Sequence, residues 1–473
     1  MSSRSGHAQV AGPQWLAVST LAIGGRRPSP LLRLSQAARE GTVAAAVSVG
    51  AAAVVYMWWH DTSPASVVGA GPFLTAAGRV TGLVGTYLVV VEVLLMARAP
   101  WLDHFIGMDR LAVWHRRNGE YSISLLVAHA VLIIWGYALT ARTGLVGETK
   151  DVVLDYPDML AATVGLGLLV LTGILSARAL RRRVSYQTWY FIHLYVYIAL
   201  ALSFAHQFNA GADFATHPLN RAIWAAMYVA VGAVIVYYRA LTPLVNLARH
   251  SFVVVGTIGE GPGVVSVYVS GKHLSALSAE PGQFFMWRFL TRHGWWQAHP
   301  FSLSAAPNGR WLRLTAKTLG DHSAGLKDLQ PGTRVLLEGP YGAFTVKRRR
   351  RSGVVLIGAG IGVAPLRAIL EALPPGPGGI TLVYRSRDAA GLALRAELED
   401  LAVTKGATVR YLLGTREEHP DYFTPEHLLE IAPDVARCDV FICGPEDFTD
   451  MVRSSLRTAG VPASQIHAES FEF

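Results

Sequence analysis

Hydrophobic positions follow two regimes along the chain. Up to about residue 240 they form long runs, roughly at 42–59, 73–97, 118–140, 159–177, 187–208 and 221–238. As helices, most of these would cross a hydrocarbon layer of about 30 Å, so the pattern predicts six membrane spans. Beyond about residue 250 the runs give way to short alternating strands separated by Gly and Pro turns, the mark of a soluble β and α/β module. Residues of about 250–346 read as a small β-barrel. After it, VVLIGAGIGVAPL at 354–366 reads as a buried strand, a glycine-rich turn and a helix, with further strands at ITLVY (380–384) and DVFICGP (439–445).

These elements predict an all-α, six-helix membrane bundle followed by an antiparallel β-barrel domain and a parallel-sheet α/β domain. The expected divisions are a cytoplasmic or interfacial segment at 1–41, a membrane domain at 42–240, the barrel at 250–347 and the α/β domain at 352–473. Trp15–Gly24 is apolar but short, and Arg26 and Arg27 follow it. An interfacial segment is therefore expected in preference to a cleaved signal peptide.

Composition agrees with this division: 473 residues, 51% hydrophobic, are too many for one domain and too apolar for a wholly soluble chain. Arg98, Arg110, Arg116 and Arg117 flank one connection, and Arg178, Arg181, Arg182 and Arg183 crowd another. The opposite side carries Arg142 and Lys150 beside several acids. The positive-inside rule then places the arginine-rich loops, both termini and the soluble module in the cytoplasm of a multi-pass protein of the cell (inner or plasma) membrane. Much of the net charge of +9 is this topological arginine, and no nucleic-acid partner is needed to explain it. Two cysteines, Cys438 and Cys443, exclude a disulfide framework and a four-cysteine iron–sulfur cluster built by this chain.

Four histidines lie in or beside two of the apolar runs. His115 and His129 are fourteen residues apart, and His193 and His206 thirteen. Imidazole is costly in hydrocarbon, and a single membrane histidine is more often a helix-to-helix hydrogen-bonding group than a ligand. The matched spacing changes that balance. At 1.5 Å rise per residue the separations are about 21 and about 20 Å, so two parallel helices would offer one histidine pair near each membrane face. Two stacked b-type haems with bis-histidine ligation fit, whereas zinc would want clustered ligands at short spacing. A fourteen-residue step returns to within about 40° of the same helix face, but a thirteen-residue step lands about 140° away. The helix carrying His193 and His206 must distort, or its rings must reach around.

In the soluble part, Gly358, Gly360, Ile361 and Gly362 form a turn whose N–H groups can approach a pyrophosphate; a purely structural turn is the competing reading. The polar or glycine endings of the neighbouring strands favour the ligand, because ligands sit at the carboxyl ends of open α/β sheets. Arg385 and Arg387 follow the second strand, where guanidinium groups can hold the ribose phosphate that distinguishes NADPH from NADH; solvated surface arginines are the plainer account. In the barrel, HPFSLS at 299–304 offers His299, Pro300, Phe301, Ser302 and Ser304 as a surface for a flavin ring. Within LTAKTLGDHSAGL at 314–326, Lys317, His322 and Ser323 complete the candidate set, with Ser323 expected to cap a helix whose free N–H groups face a diphosphate.

HPFS at 299–302, GAGIGVAP at 358–365, CGP at 443–445 and the two histidine pairs resemble the ferric reductase and NADPH oxidase superfamily, over about 42–473. The resemblance implies a haem domain fused to a ferredoxin-reductase-type FAD and NAD(P) module. It pairs His115 with His193 on an inner haem and His129 with His206 on an outer one, and sets Arg79 beside the outer haem, where a propionate would satisfy it. It also implies FAD near Phe301 with Ser302 at its ring, Cys443, Gly444 and Pro445 by the nicotinamide, and the terminal Phe473 over the flavin. The implied activity passes electrons from cytoplasmic NAD(P)H through FAD and two b-type haems to an extracytoplasmic acceptor. Ferric iron or another metal is favoured, since Ile133 stands where oxidases of the family carry a further histidine. Superoxide production is the alternative, and a haem-binding membrane sensor with an inactive dehydrogenase half is an alternative of another class.

Overall fold

The computed structural model describes residues 36–177, 180, 183–184, 186–209, 214, 217–292, 294–375 and 379–471. The candidate Phe473, the stretch Trp15–Gly24 and the arginines at 178, 181 and 182 lie outside them. The chain divides into a unit from Leu34 to Leu244 and a unit built on Val245–Phe473.

The first unit is helical: α1 Gln36–Asp61, α2 Ala70–Leu95, a short α3 Pro100–Ile106, α4 Met108–Ala141, α5 Leu145–Asp155, α6 Met159–Ser176, α7 Tyr186–Leu202, α8 Phe204–Asn209 and α9 Pro218–Val236. Six stretches among the described residues are long and apolar enough to span a membrane: Ala37–His60, Ala70–Leu95, Arg110–Ala141, Met159–Ser176, Thr188–Asn209 and Pro218–His250. Val131, Leu160, Leu171, Phe191, Ile223 and Val229 are exposed on these helices, as suits side chains solvated by lipid. The first helix begins inside the segment expected to precede the membrane domain, because Arg39 anchors it by donating to the Phe105 carbonyl at 2.9 Å. The last span also overruns its expected end. It continues through a π-helical turn at Tyr237–Leu241 into α10, Thr242–His250.

Of the two ways to accommodate the thirteen-residue step, a distorted helix is present. The span carrying His193 and His206 is interrupted at Ser203, between α7 and α8, so the two histidines do not share one continuous helix. Between α2 and α4, close approach depends on small residues, which replace a hydrophobic driving force inside lipid. A Cβ on Gly82 would lie 2.5 Å from the His129 ring, so no larger residue fits there.

The second unit opens with two three-stranded antiparallel sheets. One has the order β1 (Val253–Gly261), β2 (Val264–Ser270), β5 (Trp311–Lys317); the other β4 (His299–Ser302), β3 (Phe284–Phe289), β6 (Val335–Tyr341). Single bridges, Val253 to Arg334 and Leu303 to Leu314, join the sheets around a core that includes Val267, Phe285, Trp287 and Leu314. Next come α11 (Asp321–Gly325, between β5 and β6) and a five-stranded, all-parallel sheet: β7 Val354–Ala359, β8 Ile380–Ser386, β9 Ala407–Leu413, β10 Asp439–Pro445 and β11 Ile466–Phe471. Its spatial order is β11-β10-β7-β8-β9. Helices α12 (Val363–Ala372), α13 (Arg395–Lys405), α14 (Pro425–Ile431) and α15 (Glu446–Thr458) connect these strands. The order reverses direction between β7 and β10, so their carboxyl ends border the crevice where such sheets bind ligands.

Candidate functional site

In the helical unit, the rings of His115 and His193 come from α4 and α7, with centres 5.8 Å apart and planes 72° apart. With metal–imidazole bonds of about 2 Å, two axial rings on one metal have centres about 6 Å apart. His129 lies on α4 and His206 on α8. Partners of Nδ1 decide which nitrogen a histidine can offer a metal. His129 Nδ1 lies 2.8 Å from the Gly78 carbonyl and donates to it, leaving Nε2 for a ligand. His115 Nδ1 lies 2.7 Å from Glu92 Oε1, and the other Glu92 oxygen accepts from Asn118 Nδ2 at 2.6 Å. His193 Nδ1 is 3.4 Å from Ser176 Oγ, which accepts from Trp189 Nε1 at 3.1 Å, and the indole stacks on the His193 ring. Arg79 is half-buried in α2 and has no partner among the described residues, which leaves its guanidinium free for an anionic group such as a propionate.

In the barrel, β4 carries HPFS against β3. Trp287 Nε1 donates to the Phe301 carbonyl at 2.8 Å, setting the strand so that Phe301 is half-buried and Pro300 exposed. The Ser302 hydroxyl is buried with no hydrogen-bond partner. A buried, unsatisfied hydroxyl is uncommon and costly, and a flavin heteroatom would satisfy it. Burial pushes the His299 imidazole below its ordinary range. Lys317 is exposed at the end of β5.

Two expectations are corrected here. Ser323 is not the helix cap: Gly320 is, and Ser323, three residues on, reaches back with Oγ to accept from Leu319 and Gly320 N–H at 2.8 and 3.1 Å. Ser304 does not present its hydroxyl to an open surface. It is wholly buried, accepting from Arg313 Nε at 3.0 Å and Thr315 Oγ1 at 2.7 Å. The side chain of His322 lies outside the described residues.

In the α/β domain the turn after β7 is Gly360–Gly362. Gly360 has φ of +55°, and a Cβ on Gly362 would collide with the Cys443 carbonyl, so this turn and the end of β10 close on each other only because both are bare backbone. Gly358 is buried at the end of β7, paired with Cys443 and Tyr384. Ile361 is half-buried beside the turn, and strand β5 of the barrel runs next to it. Cys443 is wholly buried among core residues that include Phe344 and Leu366, while Pro445 is exposed and Gly444 buried. Arg385, half-buried, ends β8 next to Ala359 of β7, and Arg387 is exposed just beyond.

The inward acid Glu92, its partner Asn118 and the lattice around Arg313 escaped the sequence reading. Arg313 on β5 is wholly buried and bonds both Glu397 oxygens on α13, at 2.6 and 2.9 Å. Arg367 on α12 lies 2.8 Å from the same carboxylate and also pairs with Glu371, which accepts from Ala306 N at 2.6 Å. Burial opposes the charge on both Arg313 and Glu397, but the pairing outweighs it and holds the carboxyl below its ordinary range. An acid within the second apolar run was a usable signal for Glu92; nothing local marks Arg313.

Residues 81–204 match the family described as ferric reductase like transmembrane component, 259–345 match an FAD-binding domain, and 356–454 match the oxidoreductase NAD-binding domain. The chain is similar to a flavohemoprotein of a Burkholderia species, at 29% identity over 235 residues, covering 47% of this chain and 59% of that protein. It is also similar to the ferredoxin reductase component of 3-ketosteroid-9-alpha-monooxygenase from Rhodococcus rhodochrous, at 31% identity, covering 40% of this chain and 55% of that protein. The chain therefore spans less than two thirds of the length of these curated relatives. Among solved structures, the FAD/NAD-binding domain of nitric oxide dioxygenase from Vibrio cholerae is 27% identical with a TM-score of 0.41, covering 46% of this chain and 97% of that one.

Proposed function

Because this chain joins a ferric-reductase-like transmembrane component to a ferredoxin-reductase-type FAD and NAD module, we propose that it is an NAD(P)H-dependent transmembrane oxidoreductase. It takes reducing equivalents from NAD(P)H in the cytoplasm and delivers them singly to an acceptor across the cell membrane. The observation that carries this reading is the facing of the His115 and His193 rings, on α4 and α7, with centres 5.8 Å apart. When bound, the flavin supplies the change from two-electron to one-electron chemistry, and two b-type haems supply carriers within the apolar layer.

The chain's own residues bind, orient and shield. His115 with His193, and His129 with His206, hold the inner and outer haem, and Arg79 holds an outer propionate. Ser302 and Phe301 orient the flavin ring. The Gly358–Gly362 turn presents N–H groups to the dinucleotide pyrophosphate, and Arg385 and Arg387 hold the 2′-phosphate if the donor is NADPH. The strand end at Gly444 and Pro445, beyond the buried Cys443, borders the nicotinamide position, and Phe473 shields the flavin until nucleotide arrives. The arginine-rich loops set the cytoplasmic side.

Ferric iron or another metal ion is the favoured substrate on the far side. The position one turn beyond His129 is filled by Ile133, an apolar side chain without a proton to offer oxygen. Ferric chelate reduction measured with and without superoxide dismutase separates this from superoxide production. Purified protein should reduce its haems on addition of NADPH without dithionite; a sensor with an inactive dehydrogenase half would not. His129→Ala should remove one of two haem signals and abolish reduction of the far-side acceptor, while NAD(P)H oxidation by a soluble dye persists. Full acceptor activity in that variant would overturn the assignment.

A further inference from the structure

We propose that Glu92 is a positioning residue that holds the inner haem at a lower reduction potential than the outer one, so that outward electron transfer runs downhill. The proposal rests on the haem reading above and goes beyond it, because it assigns a role to an acid beside one histidine pair only.

The two histidine pairs differ in what lies against their α4 rings. On the outer pair, the His129 Nδ1–H meets a neutral backbone carbonyl, Gly78, at 2.8 Å. On the inner pair, His115 Nδ1 lies 2.7 Å from a carboxylate oxygen, Glu92 Oε1, in a close charge contact without hydrogen-bond alignment. A negative charge beside the ring pushes electron density toward the opposite nitrogen, which a neutral carbonyl does less, and makes that nitrogen a better electron donor. A stronger donor favours the oxidised iron, which is the sense of a lowered potential.

Glu92 is built in rather than left over. An acid three residues from the end of a membrane helix would ordinarily turn outward to water, yet this one is 9% exposed. Asn118, one turn after His115 on α4, clamps it by donating to Oε2 at 2.6 Å while also bonding the Leu88 carbonyl at 2.8 Å. Gly119 makes the floor of the seat, where a Cβ would lie 2.9 Å from Glu92 Oε1. Asn118 thus grips one carboxylate oxygen from α4, and the other lies against the ligand ring.

The test is a spectroelectrochemical titration of the full chain, with haem content measured for each variant. Wild-type protein should titrate in two one-electron steps, and the step surviving in His129→Ala identifies the inner haem. Glu92→Gln keeps the shape and removes the anion. It should raise the inner step by a tenfold or larger change in its equilibrium constant, about 59 mV for one electron, and leave the outer step in place. Asn118→Leu removes the donor on Oε2, leaves the carboxylate charge less compensated beside the His115 ring, and should move the same step the opposite way. If Glu92→Gln fails to retain haem, Asn118→Leu decides. An inner step unmoved in the variants that hold haem, or both steps moving together, overturns the proposal while the haem reading stands. Wild-type protein without haem overturns both.

Discussion

His129 in the membrane unit and Arg313 in the soluble unit are both buried polar side chains, and they are satisfied in different ways. His129 answers to one neighbour, the Gly78 carbonyl, and is confined by the bare backbone of Gly82. Arg313 is a node of a lattice that reaches Tyr268, Ser304 and Glu397 and, through Glu397, Arg367 and Glu371. In lipid there is no water to exclude, so helices meet where small residues permit, and a polar group is kept for a task. In the soluble unit, hydrophobic cores hold each domain, and the ion lattice specifies how the barrel and the α/β domain join. The lesson is that the same chemical oddity, a buried polar group, points to a ligand in one region and to domain geometry in the other.

Three measurements test this contrast. The largest effect is expected from Gly82→Leu, which forces α2 away from α4 and drives a side chain into the His129 ring; the outer haem should be lost entirely, read as haem per protein and as the Soret band. Retention of both haems would mean that glycine contact does not set this interface. Next, Glu397→Gln leaves the Arg313 charge buried without its carboxylate and should destabilise the soluble unit by about 3 kcal/mol, seen as earlier thermal release of FAD, with the haem bands unchanged. A melting curve indistinguishable from wild type would show that the lattice contributes little to the joint. The smallest effect concerns Asp439, which accepts from Arg350 and Arg351 N–H at 2.7 and 2.5 Å and from His467 Nε2 at 2.9 Å. Burial alone would raise its pKa, but these donors outweigh burial and hold it below its ordinary range. A depressed folded value means the stabilisation is present above the unfolded value of about 3.9 and is lost as pH falls through the folded one. Thermal melts between pH 3 and 7 should therefore show an acid-side decline that Asp439→Asn flattens.

Much of the architecture was readable before any coordinates, for a local reason. A membrane span is a property of some twenty consecutive side chains, and a phosphate-approaching turn is a property of five, so the six helices, the HPFS strand and the GAGIG turn could be read without knowing their neighbours. Helical geometry left two ways for the span holding His193 and His206, a distorted helix or rings that reach around, and the helix breaks at Ser203. Ser304 and Ser323 were misjudged because a hydroxyl's partner depends on where the backbone points: one is drawn into the Arg313 lattice, and the other serves a cap three residues behind it.

Hydropathy and motif spacing alone account for the division into membrane and nucleotide halves, for four histidines in two matched pairs, and for the kinds of cofactor to look for. Which carbonyl or carboxylate each imidazole meets was a matter of packing, since Gly78 and His129 are 51 positions apart and Arg313 and Glu397 are 84 apart. Hydrogen bonds and ion pairs act over about 3 Å, and only the folded chain brings such distant positions within that reach.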